Sequence, residues 1–181
     1  MSKLKLDTIN EIIDIEGGYV NDSADSGGAT RYGITEAVAR RYGYTYKMES
    51  LPRSLAFEIY SKRYWDSLNL DEVEKLSHMI AKELADTGVN MGVGRAAEFI
   101  QRSLNVLNNN GKFYNDIKVD GDIGGKTIKA LQSYLGIRGK DGETVLFKML
   151  NSLQGAFYIT LAERRTKDEK FVFGWFENRV V

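Results

Sequence analysis

Glu16 and Asp25 are two carboxylates separated by eight residues, in the stretch Ile15-Glu16-Gly17-Gly18-Tyr19-Val20-Asn21-Asp22-Ser23-Ala24-Asp25-Ser26-Gly27-Gly28-Ala29-Thr30. Their settings differ. Glu16 precedes paired glycines, which tolerate the left-handed backbone that closes a helix. The end of a helix carries partial negative charge, which disfavours an ionised Glu16 and raises its pKa, more so if apolar neighbours bury it. Asp25 falls in a Ser- and Gly-rich loop, where backbone N–H groups and water stabilise the anion. One carboxyl kept protonated beside one kept charged is what cleavage of a glycosidic bond requires. The plain alternative is a helix end followed by an ordinary Asp-Ser-Gly-Gly turn.

The elements that position these groups can be read around them. Leu6, Ile9 and Ile13 recur at helical spacing, so a helix is expected to end on Glu16. After the polar loop, Ala29 to Thr35 reads as extended. With Tyr19–Val20 it should form a small hairpin beside the cleft.

The runs Glu16-Gly-Gly-Tyr-Val-Asn-Asp22 and Asp25-Ser-Gly-Gly-Ala-Thr30-Arg-Tyr-Gly-Ile-Thr35 resemble the signature of glycoside hydrolase family 108, the N-acetylmuramidases of phage endolysins and of bacterial export and lysis systems. The resemblance spans roughly the first half of the chain. It implies a mainly α, lysozyme-like fold and cleavage of the β-1,4 bond after N-acetylmuramic acid in peptidoglycan. It places the catalytic Glu on Glu16. The small phage lysozymes space Glu, Asp and Thr with eight and then five residues between them. Here the first gap matches, and Thr30 follows Asp25 after only four. By the resemblance Asp25 and Thr30 join Glu16 in catalysis, and Tyr32 on the extended piece positions substrate.

Composition bounds the remaining readings. A chain of 181 residues suits one domain or two small ones and can bury a sizeable core. Lys plus Arg equals Asp plus Glu at 25 each, which leaves no electrostatic footprint for nucleic acid. There is no Cys and a single His, His78, so neither a disulfide framework nor a multi-His or Cys zinc site is expected. No cofactor or metal is called for. The N-terminal Met-Ser-Lys-Leu-Lys-Leu-Asp lacks the apolar run of a secretory signal, and no stretch approaches the ~20 apolar residues of a membrane span. A protein made in the cytoplasm and acting in the periplasm or cell wall then needs a holin or a dedicated secretion system for export. A monomer is expected.

Further along, Thr35 can cap a helix to Tyr42. Pro52 opens another with stripes of Leu55 and Ile59 and of Ala56, Tyr60 and Tyr64, whose aromatic group Phe57, Tyr60, Tyr64 and Trp65 reads as core packing or as an aromatic wall for sugar rings. Ser77 can cap a helix from His78 to Met91, on which Lys82, Asp86 and Asn90 share a face. That face is either solvated or, as the resemblance of Ala-Asp86-Thr-Gly-Val-Asn90 implies, lines the substrate groove. Gly92-Val-Gly94 breaks the chain. In the second half, Gly125-Lys126-Thr127 imitates a phosphate-binding loop, but Asp120 stands where a Gly is required. An EF-hand starting at Asp116 fails at Thr127. The Val119-Asp-Gly…Gly-Lys-Thr-Ile pattern instead resembles helical peptidoglycan-binding modules. A long helix from about Gly142 to Lys167 carries Leu146, Leu150, Leu153, Phe157 and Leu161. The domain reading is a lysozyme-like catalytic region over 1–93 and a helical peptidoglycan-binding-like region over 94–181, packed on it as one body. The partner is the glycan strand. Two rivals stay open: a lytic transglycosylase at the same site, which leaves a 1,6-anhydro product, and a non-catalytic wall-binding protein.

Overall fold

The computed structural model describes residues 1–21 and 28–180. The chain divides into two compact units, Met1–Ser67 and Leu68–Val181. It is mainly helical with one small sheet.

In the first unit, helix α1 (Lys3–Glu16) starts where the Ser2 side chain accepts a hydrogen bond from the Lys5 N–H at 3.0 Å. It buries Thr8, Ile9 and Ile13, while Leu6 remains 40% exposed. Each of the two isoleucines contributes about 1.5–3 kcal/mol by leaving water. Gly17 ends the helix at φ 76°, its N–H bonded to the Ile13 carbonyl. Strands β1 (Tyr19–Val20), β2 (Thr30–Arg31) and β3 (Ile34–Thr35) form an antiparallel sheet in that order. Tyr19 pairs with Arg31, and Thr30 pairs with both Val20 and Thr35. The extended piece expected over Ala29 to Thr35 is thus itself a hairpin. Its two loop residues, Tyr32 and Gly33, have φ 54° and 69°, the pattern of a two-residue turn that matches strand twist. Helix α2 (Glu36–Arg41) follows at once, capped by the Thr35 hydroxyl.

Pro52 precedes α3 (Arg53–Tyr60), and the chain continues without a break into a wider π-helical turn over Ser61–Asp66. Such a turn carries one residue more per hydrogen bond, and it lets both Tyr60 and Trp65 point inward. Trp65 is 1% and Tyr60 is 4% exposed, and Ile59, Ala56, Leu51 and Ile13 of the same unit are buried as well. The core-packing reading holds for these two rings, whereas Tyr64 is only half-buried.

The second unit is helical. Helix α4 (Leu70–Glu74) leads to α5 (His78–Met91), whose cap is the Ser77 hydroxyl. Next come α6 (Val93–Leu107), α7 (Gly125–Arg164) and α8 (Glu169–Arg179). Gly139, at φ 57° and ψ −145°, breaks α7 into two helical segments. The loop between α6 and α7 is organised by Gln101, which is 1% exposed. Its amide nitrogen donates to Asp120 Oδ1 and to the Asp122 carbonyl, both at 2.8 Å. Its amide oxygen accepts from the Asp120 and Gly121 N–H groups. The Asp-Gly-Asp motif is therefore a structural turn held by one buried amide.

Candidate active site

Glu16 is the last residue of α1, and the next residues turn the chain into the sheet. The Gly17 carbonyl accepts a 3.1 Å hydrogen bond from the Tyr32 N–H, so the hairpin turn is tied to the helix end. Gly33 then lies directly against the acid. A methyl group on Gly33 would come within 2.7 Å of Glu16 Oε2 and 2.8 Å of the Tyr60 hydroxyl. Only a glycine leaves room there, and its positive φ favours glycine as well. Glu16 and Gly33 are both exposed, so this corner is open to a large substrate. The apolar enclosure of Glu16 that the sequence reading allowed for is not part of the site.

Tyr60 supports the corner from below. Its hydroxyl donates to the Tyr32 carbonyl at 3.0 Å, and its ring stacks on Tyr64 with centroids 5.4 Å apart. Burial, reinforced by the negative charge of Glu16, holds the Tyr60 hydroxyl well above its ordinary pKa. It is therefore a proton-bearing donor throughout the working range. The Arg31 guanidinium lies 5.0 Å over the Tyr32 ring, a contact that steadies the turn from its other side.

The last turn of α1 is braced separately. Arg53 donates to Asp14 at 2.5 Å and to the Asn10 carbonyl and side-chain oxygens at 3.2 and 3.1 Å. The Arg53 guanidinium holds the Asp14 carboxyl below the usual carboxylate range. Both partners are largely solvated, so this pair orients the helix more than it stabilises it.

Of the residues expected in the site, the structure brings Glu16 and Tyr32 together. Thr30 sits on β2, two residues before the turn, its hydroxyl 3.5 Å from the Val20 carbonyl. Asp25 lies outside the described residues. Asp86 and Asn90 lie on α5 in the second unit, both half-buried. There Asp86 accepts from Arg179 at 3.0 Å, from Gln154 at 3.1 Å and from Asn90 at 3.1 Å. One turn away, Glu83 is 7% exposed. Burial and then the Asp86 charge push its carboxyl up to about 7, against the opposing bonds of Asn151 and Thr87. Gly33 and Arg53 were not expected as site residues, and Tyr60 was expected as core packing or as part of an aromatic wall for sugar rings, not as a support for the turn beside Glu16. The signal for Gly33 was its place inside the Arg-Tyr-Gly-Ile-Thr run. The signal for Tyr60 was its helical spacing from Tyr64. Among the described residues no group of three or more acidic, His or Cys side chains could hold a metal ion, and no helix is long and apolar enough to cross a membrane.

Two regions of the chain match known protein families. Residues 9–92 match the family model for glycosyl hydrolase 108, and residues 95–180 match a predicted peptidoglycan domain. No curated protein sequence matches the chain. Among solved structures, SagA from Brucella abortus is similar at a TM-score of 0.67 and 23% identity. The match covers 96% of this chain and 87% of that one, which shows a shared fold. The chain thus carries a glycosyl hydrolase 108 region over residues 9–92 followed by a peptidoglycan domain over residues 95–180, and it is a glycoside hydrolase acting on peptidoglycan.

Proposed function

We propose that the protein is an N-acetylmuramidase that cuts the β-1,4 bond between N-acetylmuramic acid and N-acetylglucosamine, with Glu16 as general acid. The observation that carries this reading is the corner formed by Glu16, Gly33 and Tyr60. A single carboxyl is fixed at the end of a helix against a turn too tight to admit a side chain, and it stays open on the substrate side. Glu16 protonates the glycosidic oxygen as the C–O bond breaks. The sugar left behind carries oxocarbenium charge. Asp25 is assigned by its sequence position to stabilise that charge or to orient the attacking water. Thr30 and Tyr32 position water and substrate from the hairpin. Acid–base assistance of this kind is worth about 10²–10⁴-fold.

In the second unit, Asp86 and Asn90 enter the proposal as glycan contacts, and the region 94–181 holds the strand for the catalytic region 1–93. An endolysin-type role completes the reading: a monomer that reaches the wall through a holin or a secretion system and lyses by cleaving it.

The test is reducing-end analysis of digested peptidoglycan with the wild type and Glu16→Gln side by side. New N-acetylmuramic acid reducing ends that vanish in Glu16→Gln support the proposal. A retained rate in Glu16→Gln removes Glu16 from the acid role. Products ending in 1,6-anhydro-muramic acid would assign a lytic transglycosylase instead.

A further inference from the structure

A groove of about 340 Å³ opens in the first unit beside β1, within the size range of small-ligand clefts. It is lined by Tyr19, Ala29, the α2 residues Glu36 and Arg40, and residues 45–49. Tyr19 follows Glu16 by three residues, so the groove begins no more than about 11 Å along the chain from the acid.

The polar groups of the groove divide into two sets. Glu36 and Arg40 are already committed to each other at 2.5 Å. Arg40 also donates to the Tyr44 and Tyr46 carbonyls at 2.6 and 2.8 Å, which fixes the backbone leading into residues 45–49. The second set is available to a ligand. Among the described residues the Lys47 ammonium has no ion-pair partner, and it is exposed. Glu49, two residues on, accepts from the Tyr19 hydroxyl and is exposed, and a carboxylate has further acceptor sites beyond one such bond. The Tyr46 ring, 74% exposed, provides an apolar face in the lining of the same groove.

A lysine without an ion-pair partner among the described residues and a carboxylate bonded to one tyrosine hydroxyl, two residues apart in a groove whose four charges cancel, suit a ligand that carries both signs. A neutral acetamido sugar would desolvate Lys47 and Glu49 without supplying counter-charges, which is unfavourable. An anionic polymer would meet as much repulsion as attraction. Of the chemical parts of peptidoglycan, the short peptide on the lactyl group of N-acetylmuramic acid is the one that offers carboxylates together with amide and amine N–H donors. We infer that this groove is a binding site for that stem peptide, with Lys47 taking a carboxylate, Glu49 an N–H donor and Tyr46 the aliphatic part of a side chain. The inference rests on the muramidase reading, since it seats a muramyl residue at Glu16.

The experiment compares kcat/KM on intact peptidoglycan with kcat/KM on the same glycan stripped of peptides by an amidase. It uses the wild type, Lys47→Gln/Glu49→Gln and the charge-swapped Lys47→Glu/Glu49→Lys. Losing a charge-assisted hydrogen bond costs enough to lower the ratio of the two rates about tenfold. Both double variants should show this fall, and the swapped one has the wild-type net charge, so a fall there is not a general charge effect. Direct binding follows the same logic, with Glu16→Gln protein titrated with a soluble disaccharide-tetrapeptide and with the disaccharide alone. Backbone NMR shifts at Lys47 and Glu49 are expected with the first probe and not with the second. An unchanged rate ratio in both variants, or equal shifts with both probes, overturns the inference. Full activity in Glu16→Gln would instead overturn the muramidase reading and leave the rate ratio to be read by itself.

Discussion

The Tyr60 hydroxyl donates a 3.0 Å hydrogen bond to the carbonyl of Tyr32, a residue held at φ 54°. A non-glycine residue in this left-handed region is uncommon and is kept there by its surroundings. Tyr32 is tied through its N–H to the end of α1 and through its carbonyl to α3, so the turn beside Glu16 has fixed contacts on both sides.

Tyr60→Phe removes one of those contacts and little volume. The loss of a buried hydrogen bond costs about 1 kcal/mol of stability. The effect on kcat should be larger in proportion, between about tenfold and a hundredfold, because the turn that walls Glu16 is freed to shift. Chemical denaturation and wall-digestion rates, measured on one preparation, separate the two. A stability loss with kcat intact would make Tyr60 a packing residue only. In the wild type the hydroxyl keeps its proton well above pH 10, so the pH profile of activity should show no step from Tyr60 in the neutral range.

Gly33→Ala tests the other wall. The added methyl meets Glu16 Oε2 at 2.7 Å and the Tyr60 hydroxyl at 2.8 Å, and the left-handed backbone adds about 1–2 kcal/mol of strain. The cheapest relief is rotation of the Glu16 side chain out of position. A fold that survives with a slightly lower Tm and activity reduced about a hundredfold or more is the expected result. Wild-type activity in a folded Gly33→Ala protein would show that the observed Glu16 position is not the working one.

How much of this could be read from the chain alone differs by element. The end of α1 on Glu16 was legible because Gly17 and Gly18 follow a helical stripe. The caps at Thr35 and Ser77 were legible because each hydroxyl precedes a run of helix formers. The turn inside Ala29–Thr35 was not, because Tyr occupies the first left-handed position, where Asn or Gly usually signals such a turn. The π-helical turn at Ser61–Asp66 has no local marker either. It is set by Trp65 finding room in the core. Glu83 escaped notice for a related reason. It lies off the Lys82–Asp86–Asn90 stripe, and its burial comes from packing in the second unit, where Asn151 is its partner.

That burial gives a pH dependence with a definite sign. The Glu83 carboxyl titrates at about 7 in the folded protein against 4.5 ordinarily. A raised pKa means that the fold favours the protonated form. Its contribution is complete below about pH 4.5, fades as the pH rises towards 7 and is gone above it. The difference is on the order of 3 kcal/mol. Calorimetric Tm values between pH 5 and pH 8 should fall for the wild type and stay nearly level for Glu83→Gln. Parallel curves would show that Glu83 does not carry the effect.

The Asp86–Arg179 pair makes the final prediction. Arg179 sits at the end of α8, a helix without a buried residue, whose other main contact is the stacking of Trp175 on Tyr158 at 4.7 Å. Arg179→Met keeps the aliphatic stem and deletes the charge. Gln154 and Asn90 still donate to Asp86, so the carboxylate is not stranded, and the loss should lie near 1–2 kcal/mol. The loss should be local. Hydrogen exchange of the α8 amides should quicken about tenfold, while the buried amides of α5 and α6 keep their protection. Asp86→Asn acts differently, because the Asp86 charge is the second cause of the raised Glu83 pKa. It should move the pH window of the Tm decline downward, whereas Arg179→Met should not. If both variants shift that window equally, the charge of Asp86 is not what Glu83 senses.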